Sequence, residues 1–340
     1  MEKRPTIITP TALTAAFRNE LETFLTEWTD TSETVTVHTS GSTGTPKPYT
    51  VRKEQMRQSA LQTAAYLNLR AGEAALLCMP LRYIAGKMMV VRALVSGLRL
   101  VVVSPGGRPL KEMDEWIDLA AMIPLQVYNS LRVPEERRRL ARIRRLIIGG
   151  GAIDATLEAE IRTLPNPVYS TYGMTETLSH IALRRLNGPD ASPAYTPLPS
   201  VRLSLTPDDA LVIDAPMVCS ERLVTNDIAR LLPDGSFIIL GRKDNTINTG
   251  GIKVQAETVE AILRPYITTP FAITARPDAR LGESVVLLVE APVDTTSLSV
   301  LLTHLFPGYD RPKQIVTVSS LPLTGNGKID RATCRRIVTE

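Results

Sequence analysis

Thr39 to Lys47, read as TSGSTGTPK, decides how the rest of the chain is interpreted. Gly41, Gly44 and Pro46 stand among the hydroxyls of Thr39, Ser40, Ser42, Thr43 and Thr45, and Lys47 closes the run. Glycine lets backbone N–H groups turn inward with no side chain in the way. Hydroxyls add donors and the lysine adds a positive charge, so the loop suits phosphate oxygens. It is not a Walker A loop, which needs G-x-x-x-x-G-K-[ST]; here Pro46 precedes Lys47 and Pro48 follows it. Composition alone is equally compatible with a Ser/Gly/Pro surface linker. The flanks favour the phosphate reading. TVTVH (Thr34 to His38) alternates like a strand and runs into the loop, and Glu54 to Leu67 has the apolar spacing of a helix. A glycine-rich loop between strand and helix is a common place for nucleotide phosphates.

The 340 residues leave room for one large or two ordinary domains. Hydrophobic residues make up 44% and charged residues 22%, the balance of a globular protein with a sizeable core. Net charge is a mild +4. Cys78, Cys219 and Cys334 share no metal spacing and read as buried free thiols in a reducing compartment. His38, His180 and His304 are too scattered to suggest a metal site. MEKRPTIITP has no apolar core of signal length, and no run approaches the ~18 residues of a membrane span. A soluble cytoplasmic protein with no membrane partner is expected.

Leu13 to Trp28 has helical spacing at Leu13, Phe17, Leu21, Phe24 and Leu25. From Ala74 the rhythm is strand, helix, strand: AALLCMP, a helix at Ala85 to Leu98, RLVVVS, then LIIGG, a helix at Ala155 to Thr163, and VYSTYG. This predicts an α/β fold with a doubly wound, mostly parallel sheet. Ligands of such sheets bind outside the carboxyl ends of the strands, where Thr39, Gly149 and Tyr172 are all expected. Arg132 to Arg145 is strongly basic. Nucleic acid is a weak reading for it, because aromatic interleaving is lacking and Leu140 and Ile143 form an apolar stripe. A solvated face is the stronger reading, with the 3′-phosphate of coenzyme A as a third. After the proline-rich loop Pro189 to Pro199, the segments VRLSL, ALVID, ERLVT, ARLLP and SFIIL predict an antiparallel, barrel-like subdomain. Beyond GRKDN (Gly241 to Asn245) comes a small α+β domain. Its elements are a strand pair, a helix at Glu257 to Leu263, FAITA, VVLLVE, a helix at Ser297 to Phe306, and IVTVS. The expected domains are 1–243 and 244–340.

TSGSTGTPK resembles the signature of the adenylate-forming superfamily of acyl-CoA synthetases, peptide-synthetase adenylation domains and luciferases. The resemblance implies that Thr39, Ser40, Gly41, Ser42, Thr43, Gly44 and Lys47 hold the β- and γ-phosphates of ATP. Other stretches match in the family's order, from Thr39 to Lys328. IGGGAI resembles the loop along adenine, which implicates Gly149, Gly150 and Gly151. STYGMTET implies Tyr172 and Gly173 beside adenine, Thr175 at the α-phosphate and Glu176 on Mg²⁺. A single carboxylate completed by ATP phosphates is an ordinary way to hold magnesium; read without the family, the same residues are a capped helix start. RLVTNDIAR places Asp227 after a strand, where the family's aspartate takes the ribose hydroxyls, although Asn226 stands where glycine is common. GRKDNTINTGGIKV implies Arg242 at the ribose, Asp244 at the hinge of a mobile C-terminal domain, and Thr249, Gly250 and Gly251 along the coenzyme A tunnel. GNGKIDR carries Lys328, matching the lysine that bridges carboxylate and α-phosphate.

The resemblance implies two half-reactions: a carboxylic acid and ATP give an acyl-adenylate and pyrophosphate, and coenzyme A then takes the acyl group while the small domain swings about its hinge. PLRYIAGKM (Pro80 to Met88) matches the acid-pocket helix, with Tyr83 where many members have histidine. Tyr83, Lys87, Gly149 and Met174 are the implied acid-binding residues. Lys87, with Arg82 nearby, would favour an acid carrying a second carboxylate; as a bare residue it reads equally as a solvated lysine. Only 38 residues precede the glycine loop, so the family's first subdomain is expected to be shortened, leaving apolar surface that a homodimer would cover. A ligase for another aryl or short-chain acid, and a non-catalytic nucleotide-binding remnant, are the alternatives.

Overall fold

The computed structural model describes residues 4–38, 48–323 and 329–340. The chain forms two compact units. One holds residues 1–203, 213–223 and 232–237; the other holds 204–212, 224–231 and 238–340.

The first unit opens with β1 (Ile7–Ile8) and α1 (Ala15–Thr29). The helix starts two residues later than the apolar spacing suggests, because Thr14 caps it by accepting from Phe17 N–H at 3.4 Å. Then come β2 (Thr34–His38), β3 (Pro48–Arg52), α2 (Lys53–Tyr66), β4 (Ala74–Leu77), α3 (Ile84–Ser96), β5 (Arg99–Val102) and β6 (Leu119–Met122). They are followed by α4 (Pro124–Leu131), α5 (Pro134–Arg142), β7 (Leu146–Ile148), α6 (Ala155–Ile161), β8 (Val168–Gly173), β9 (His180–Arg185) and β10 (Thr196–Pro197). The main sheet has eight strands in the order β1-β5-β4-β6-β7-β8-β9-β10. It is parallel from β1 through β8 and antiparallel across β8-β9 and β9-β10. β4, β6 and β7 are buried along their whole length, which is why they read as unbroken apolar runs rather than alternating ones. The strand order reverses between β4 and β6, and such a switch point opens a crevice outside the strands' carboxyl ends.

Two expectations are corrected. TVTVH is not a strand of the parallel sheet: it pairs antiparallel with PYTVR, Thr34 opposite Arg52 and His38 opposite Pro48, in a separate two-stranded ribbon. Val35, Val37 and Val51 are buried in it, and β3 comes between the glycine stretch and α2 in the chain. The strand that precedes the glycine stretch in the chain therefore belongs to this ribbon and not to the parallel sheet. Asp227, in turn, does not follow a strand. ERLVT and ARLLP belong to one continuous strand, β13, which runs through TNDI without a break.

That strand belongs to a four-stranded sheet of β11 (Arg202–Leu205), β12 (Ala210–Asp214), β13 (Leu223–Leu231) and β14 (Phe237–Arg242), in chain order. The rest of the second unit is β15 (Thr246–Thr249), β16 (Ile252–Gln255), α7 (Ala256–Leu263), β17 (Phe271–Asp278), β18 (Gly282–Glu290), α8 (Thr295–Leu305), β19 (Gln314–Val318) and α9 (Arg331–Thr339). Their sheet runs β16-β15-β18-β17, with β19 parallel to β18. Alternate residues of β17 and β18 feed two cores. Ile273, Ala275, Val285 and Leu287 pack with Val259 and Leu263 of α7 and Leu302 of α8. Ala272, Val286 and Leu288 pack with Cys334 and Val338 of α9.

β17 is an edge strand, and its backbone is covered at Ile273 by an ion pair. The Glu260 carboxylate accepts from Ile273 N–H at 2.7 Å, and Arg331 Nη1 donates to the Ile273 carbonyl at 2.9 Å. Arg331 also grips Glu260 through two bonds of 2.6 and 2.8 Å. Supplying the edge with side-chain partners blocks it from pairing with another chain.

Candidate functional site

In the first unit, the carboxyl ends of β4, β6, β7 and β8 lie side by side, and those of β7 and β8 carry the flagged residues Gly149 to Gly151 and Tyr172 to Glu176. β7 ends into Gly149, Gly150 and Gly151, the last two exposed. Ile123, just past β6, packs against Gly150. Gln126 of α4 ties the neighbouring ends together: it accepts from Ile123 N–H at 3.1 Å and donates to the Cys78 carbonyl at 3.3 Å. β8 ends in Tyr172 and Gly173. The Tyr172 ring joins a three-ring cluster with Tyr195 at 5.8 Å and Phe237 at 5.3 Å, in which it is half-buried.

After β8 the chain makes a 3₁₀ turn over Thr175–Thr177 and doubles back. Thr177 Oγ1 accepts from Met174 N–H at 3.0 Å and donates to the Ser179 carbonyl at 2.8 Å. Leu178 is buried with φ of +66°, a left-handed backbone that a leucine adopts only when its surroundings hold it. The turn presses Ser179 and His180 onto Gly173. A methyl added at Gly173 would overlap the Ser179 carbonyl and come within 2.6 Å of His180 Cα, so only glycine fits. Thr175 and Met174 are half-buried, and Glu176 is exposed. Burial, with the charges of Cys219 and Glu176 adding to it, raises the pKa of Tyr49 of β3. Among the described residues no three His, Cys, Asp or Glu side chains gather as a metal site. A lone exposed carboxylate fits Mg²⁺ if nucleotide phosphates supply most of the oxygens.

α3 carries the flagged acid-pocket residues. Gly86 is buried under the turn before it, where a methyl would lie 2.8 and 2.9 Å from the Pro80 and Met79 carbonyl groups. Tyr83 caps the helix with the Arg82 guanidinium 5.0 Å above its ring. Lys87 is buried, its ammonium 3.1 Å from Glu27 and 4.6 Å from the Phe24 ring centre. α1 therefore already supplies a matching charge for Lys87.

One residue of α3 that sequence reasoning passed over stands out. Arg92 is 2% exposed and has no carboxylate partner among the described residues. Its Nη2 donates to Ser179 Oγ at 2.6 Å; among the described residues its Nη1 reaches only Met89 Sδ at 3.6 Å and its Nε has no partner. Burial lowers its pKa to about 10, which leaves it charged at neutral pH. The signal was present in the sequence: a single arginine inside the apolar run MMVVRALV.

In the second unit three flagged residues come together. Arg242 donates to Asp227 at 3.0 Å and to Asp244 at 3.2 Å, so one guanidinium joins the expected ribose carboxylate to the expected hinge residue. Asn226, which departs from the family's glycine, reaches Asp244 at 3.4 Å. Thr249 is fully buried with no partner for its Oγ1, and the Tyr309 ring packs on Gly250, ahead of exposed Gly251. Thr39, Ser40, Gly41, Ser42, Thr43, Gly44, Lys47 and Lys328 lie outside the described residues; the flanking pairs His38–Pro48 and Leu323–Ile329 are bridged antiparallel.

A model of the AMP-binding enzyme family matches residues 11–217, well over half the chain. The chain belongs to the AMP-binding enzymes. This AMP-binding enzyme is 26% identical over 326 residues to a 2-succinylbenzoate–CoA ligase of Lactococcus lactis subsp. lactis, covering 90% of this chain and 71% of that one. A solved acyl-CoA synthetase (AMP-forming)/AMP-acid ligase II-like protein of Dyadobacter fermentans is 32% identical, with a TM-score of 0.67 and coverage of 97% of this chain and 95% of its own. An o-succinylbenzoate coenzyme A synthetase of Bacillus subtilis, solved with ATP and magnesium ion, shares the fold with a TM-score of 0.69 at 20% identity, over 87% of this chain and 68% of that one. The two-domain adenylate-forming fold and an AMP-forming acid–CoA ligase follow for this AMP-binding enzyme. No helix among the described residues is long and apolar enough to cross a membrane. The basic stretch is α5 and its flanks: Leu140 and Ile143 are buried, and Arg132, Arg138, Arg139, Arg144 and Arg145 pair with Glu160, Glu135, Asp114 and Glu73.

Proposed function

We propose that this enzyme joins o-succinylbenzoate to coenzyme A through an acyl-adenylate, a step of menaquinone synthesis. The observation that carries the choice of acid is Arg92, a buried guanidinium with no carboxylate partner among the described residues, bonded to Ser179, whose carbonyl packs on Gly173. A buried charge without a partner is costly, and an acid with a second, unactivated carboxylate would offset it. The Lactococcus relative's name supports the same acid. Lys87 is the weaker candidate for that role, since Glu27 already faces it.

In the first half-reaction a substrate carboxylate oxygen attacks the α-phosphorus of ATP, and the bond to pyrophosphate breaks. The nucleophile is already ionised near neutral pH, so positioning and positive charge matter more than a general base. The stretch Thr39 to Lys47 would hold the β- and γ-phosphates, Thr175 the α-phosphate, Lys328 the attacking carboxylate and the α-phosphate, and Gly149 to Gly151 with Tyr172 the adenine. Asp227 and Arg242 would take the ribose hydroxyls. Glu176 would hold Mg²⁺, whose charge stabilises the departing pyrophosphate. In the second half-reaction the thiol of coenzyme A attacks the acyl carbon, AMP leaves and the thiol proton passes to solvent. Asp244 would be the hinge, and Thr249, Gly250 and Gly251 would border the coenzyme.

The test is a panel of acids with ATP, Mg²⁺ and coenzyme A, read as pyrophosphate release and thioester formation. o-Succinylbenzoate should exceed 3-benzoylpropionate, the same acid without its ring carboxylate, by at least tenfold in kcat/KM. A better short-chain or aryl acid would overturn the substrate, and release with no acid would overturn catalysis.

A further inference from the structure

Behind Arg92 lies a chain of buried polar groups that the reaction itself does not use. Thr63 of α2 donates its hydroxyl to the Ser59 carbonyl at 3.0 Å. That oxygen also lies 3.0 Å from His180 Nε2. His180 Nδ1 is 3.4 Å from Ser179 Oγ, which accepts from Arg92 Nη2 at 2.6 Å. Thr63, His180 and Arg92 are all buried.

One proton arrangement satisfies every link of this chain. A carbonyl can only accept and a guanidinium can only donate. With the Thr63 proton on the Ser59 carbonyl, Thr63 Oγ1 accepts from His180, and Nε2 carries the ring proton. Nδ1 is then the acceptor, and Ser179 directs its own proton there while receiving Arg92. The imidazole is neutral, because burial and the nearby Arg92 charge hold its pKa well below the usual 6.5.

We propose that His180, fixed as the Nε2–H tautomer, is a positioning residue that aims Arg92 at the substrate's second carboxylate through Ser179. One arm of the guanidinium is tethered, Nη1 is held only by the Met89 thioether, and the unpartnered Nε keeps its donor for the acid. This rests on the reading of Arg92 given above. A histidine serving only as a satisfied core group would have no reason to affect one acid more than another.

The experiment compares wild type, His180→Asn and His180→Phe with o-succinylbenzoate and with 3-benzoylpropionate. Asparagine keeps an acceptor near the position of Nδ1; phenylalanine removes both ring nitrogens. His180→Phe should raise KM for o-succinylbenzoate about tenfold more than for 3-benzoylpropionate, and His180→Asn should restore part of the difference. Nitrogen-15 spectra of the wild-type protein should show one histidine ring protonated at Nε2 only and not titrating between pH 5 and 8. Equal changes in KM for both acids, an Nδ1–H tautomer, or titration near pH 6.5 would overturn the proposal. If wild type does not distinguish the two acids, it is the reading of Arg92 that fails, and the ring spectra still judge the tautomer separately.

Discussion

Replacing Arg331 by methionine is expected to loosen the second unit by about 3 kcal/mol, because it strands a buried carboxylate. Glu260 is 3% exposed, and its partners are two guanidinium N–H groups at 2.6 and 2.8 Å and one backbone N–H at 2.7 Å. Burial alone would lower the Arg331 pKa; the bonds to Glu260 outweigh it, and the net shift is upward. Removing one partner of such a pair costs about 3–5 kcal/mol. The lower end applies here because the Arg331 side chain is 24% exposed and not fully desolvated. The change also removes the donor to the Ile273 carbonyl on the edge of β17. Both tryptophans, Trp28 and Trp116, lie in the first unit, so fluorescence would miss the event. Hydrogen exchange resolved by segment would not. Amides of β17 and α9 should exchange about a hundredfold faster, at roughly 1.4 kcal/mol per factor of ten. Adding Glu260→Gln removes the stranded charge and keeps an acceptor for Ile273 N–H, so the double variant should recover more than half the loss. A change under about fivefold in the single variant, or a double variant no better protected than the single, would refute the reasoning.

Lys328→Ala should lower adenylate formation by about 10²–10³, the range for removing one charged stabiliser from a transition state, measured as acid-dependent pyrophosphate release; near wild-type release would remove Lys328 from the site. Gly173→Ala drives a methyl into the Ser179 carbonyl, so it should cost about 1–3 kcal/mol in thermal unfolding and at least tenfold in adenylation; an unchanged melting temperature would mean that the turn relaxes freely. Below pH 6.5 the unfolded chain binds a proton at His180 that the folded chain refuses, so stability falls as pH drops, by up to about 1.4 kcal/mol per pH unit from this residue. His180→Gln should flatten that slope in urea titrations between pH 6.5 and 5; parallel curves for the two proteins would show that the ring is protonated when folded.

The fold class was legible because its signals are local. Buried parallel strands announce themselves as AALL and LAAM, and the helix at Ala155–Ile161 begins where Asp154 caps it, accepting from Leu157 N–H at 2.9 Å. The motif residues Gly149, Tyr172 and Asp227 were flagged by pattern without any knowledge of what they touch. Pairing is not local, and there the reading failed. TVTVH looked like a strand of the parallel sheet, yet its partner is PYTVR, since register depends on which face each valine buries. Asp227 was placed after a strand because polar TND interrupts the apolar pattern; sheet pairing carries the strand through it.

Charge is where tertiary structure decided most. Lys87 and Arg92 sit five residues apart on one helix, and composition ranks them alike. The packing of α1 brings Glu27 to Lys87, whereas among the described residues Arg92 bonds only to Ser179 and a thioether. The sequence by itself determined which groups are present and the order of the elements that carry them. Which charges are matched, and which proton a histidine keeps, followed only from folding, because both depend on what lies within about 3 Å once distant segments meet.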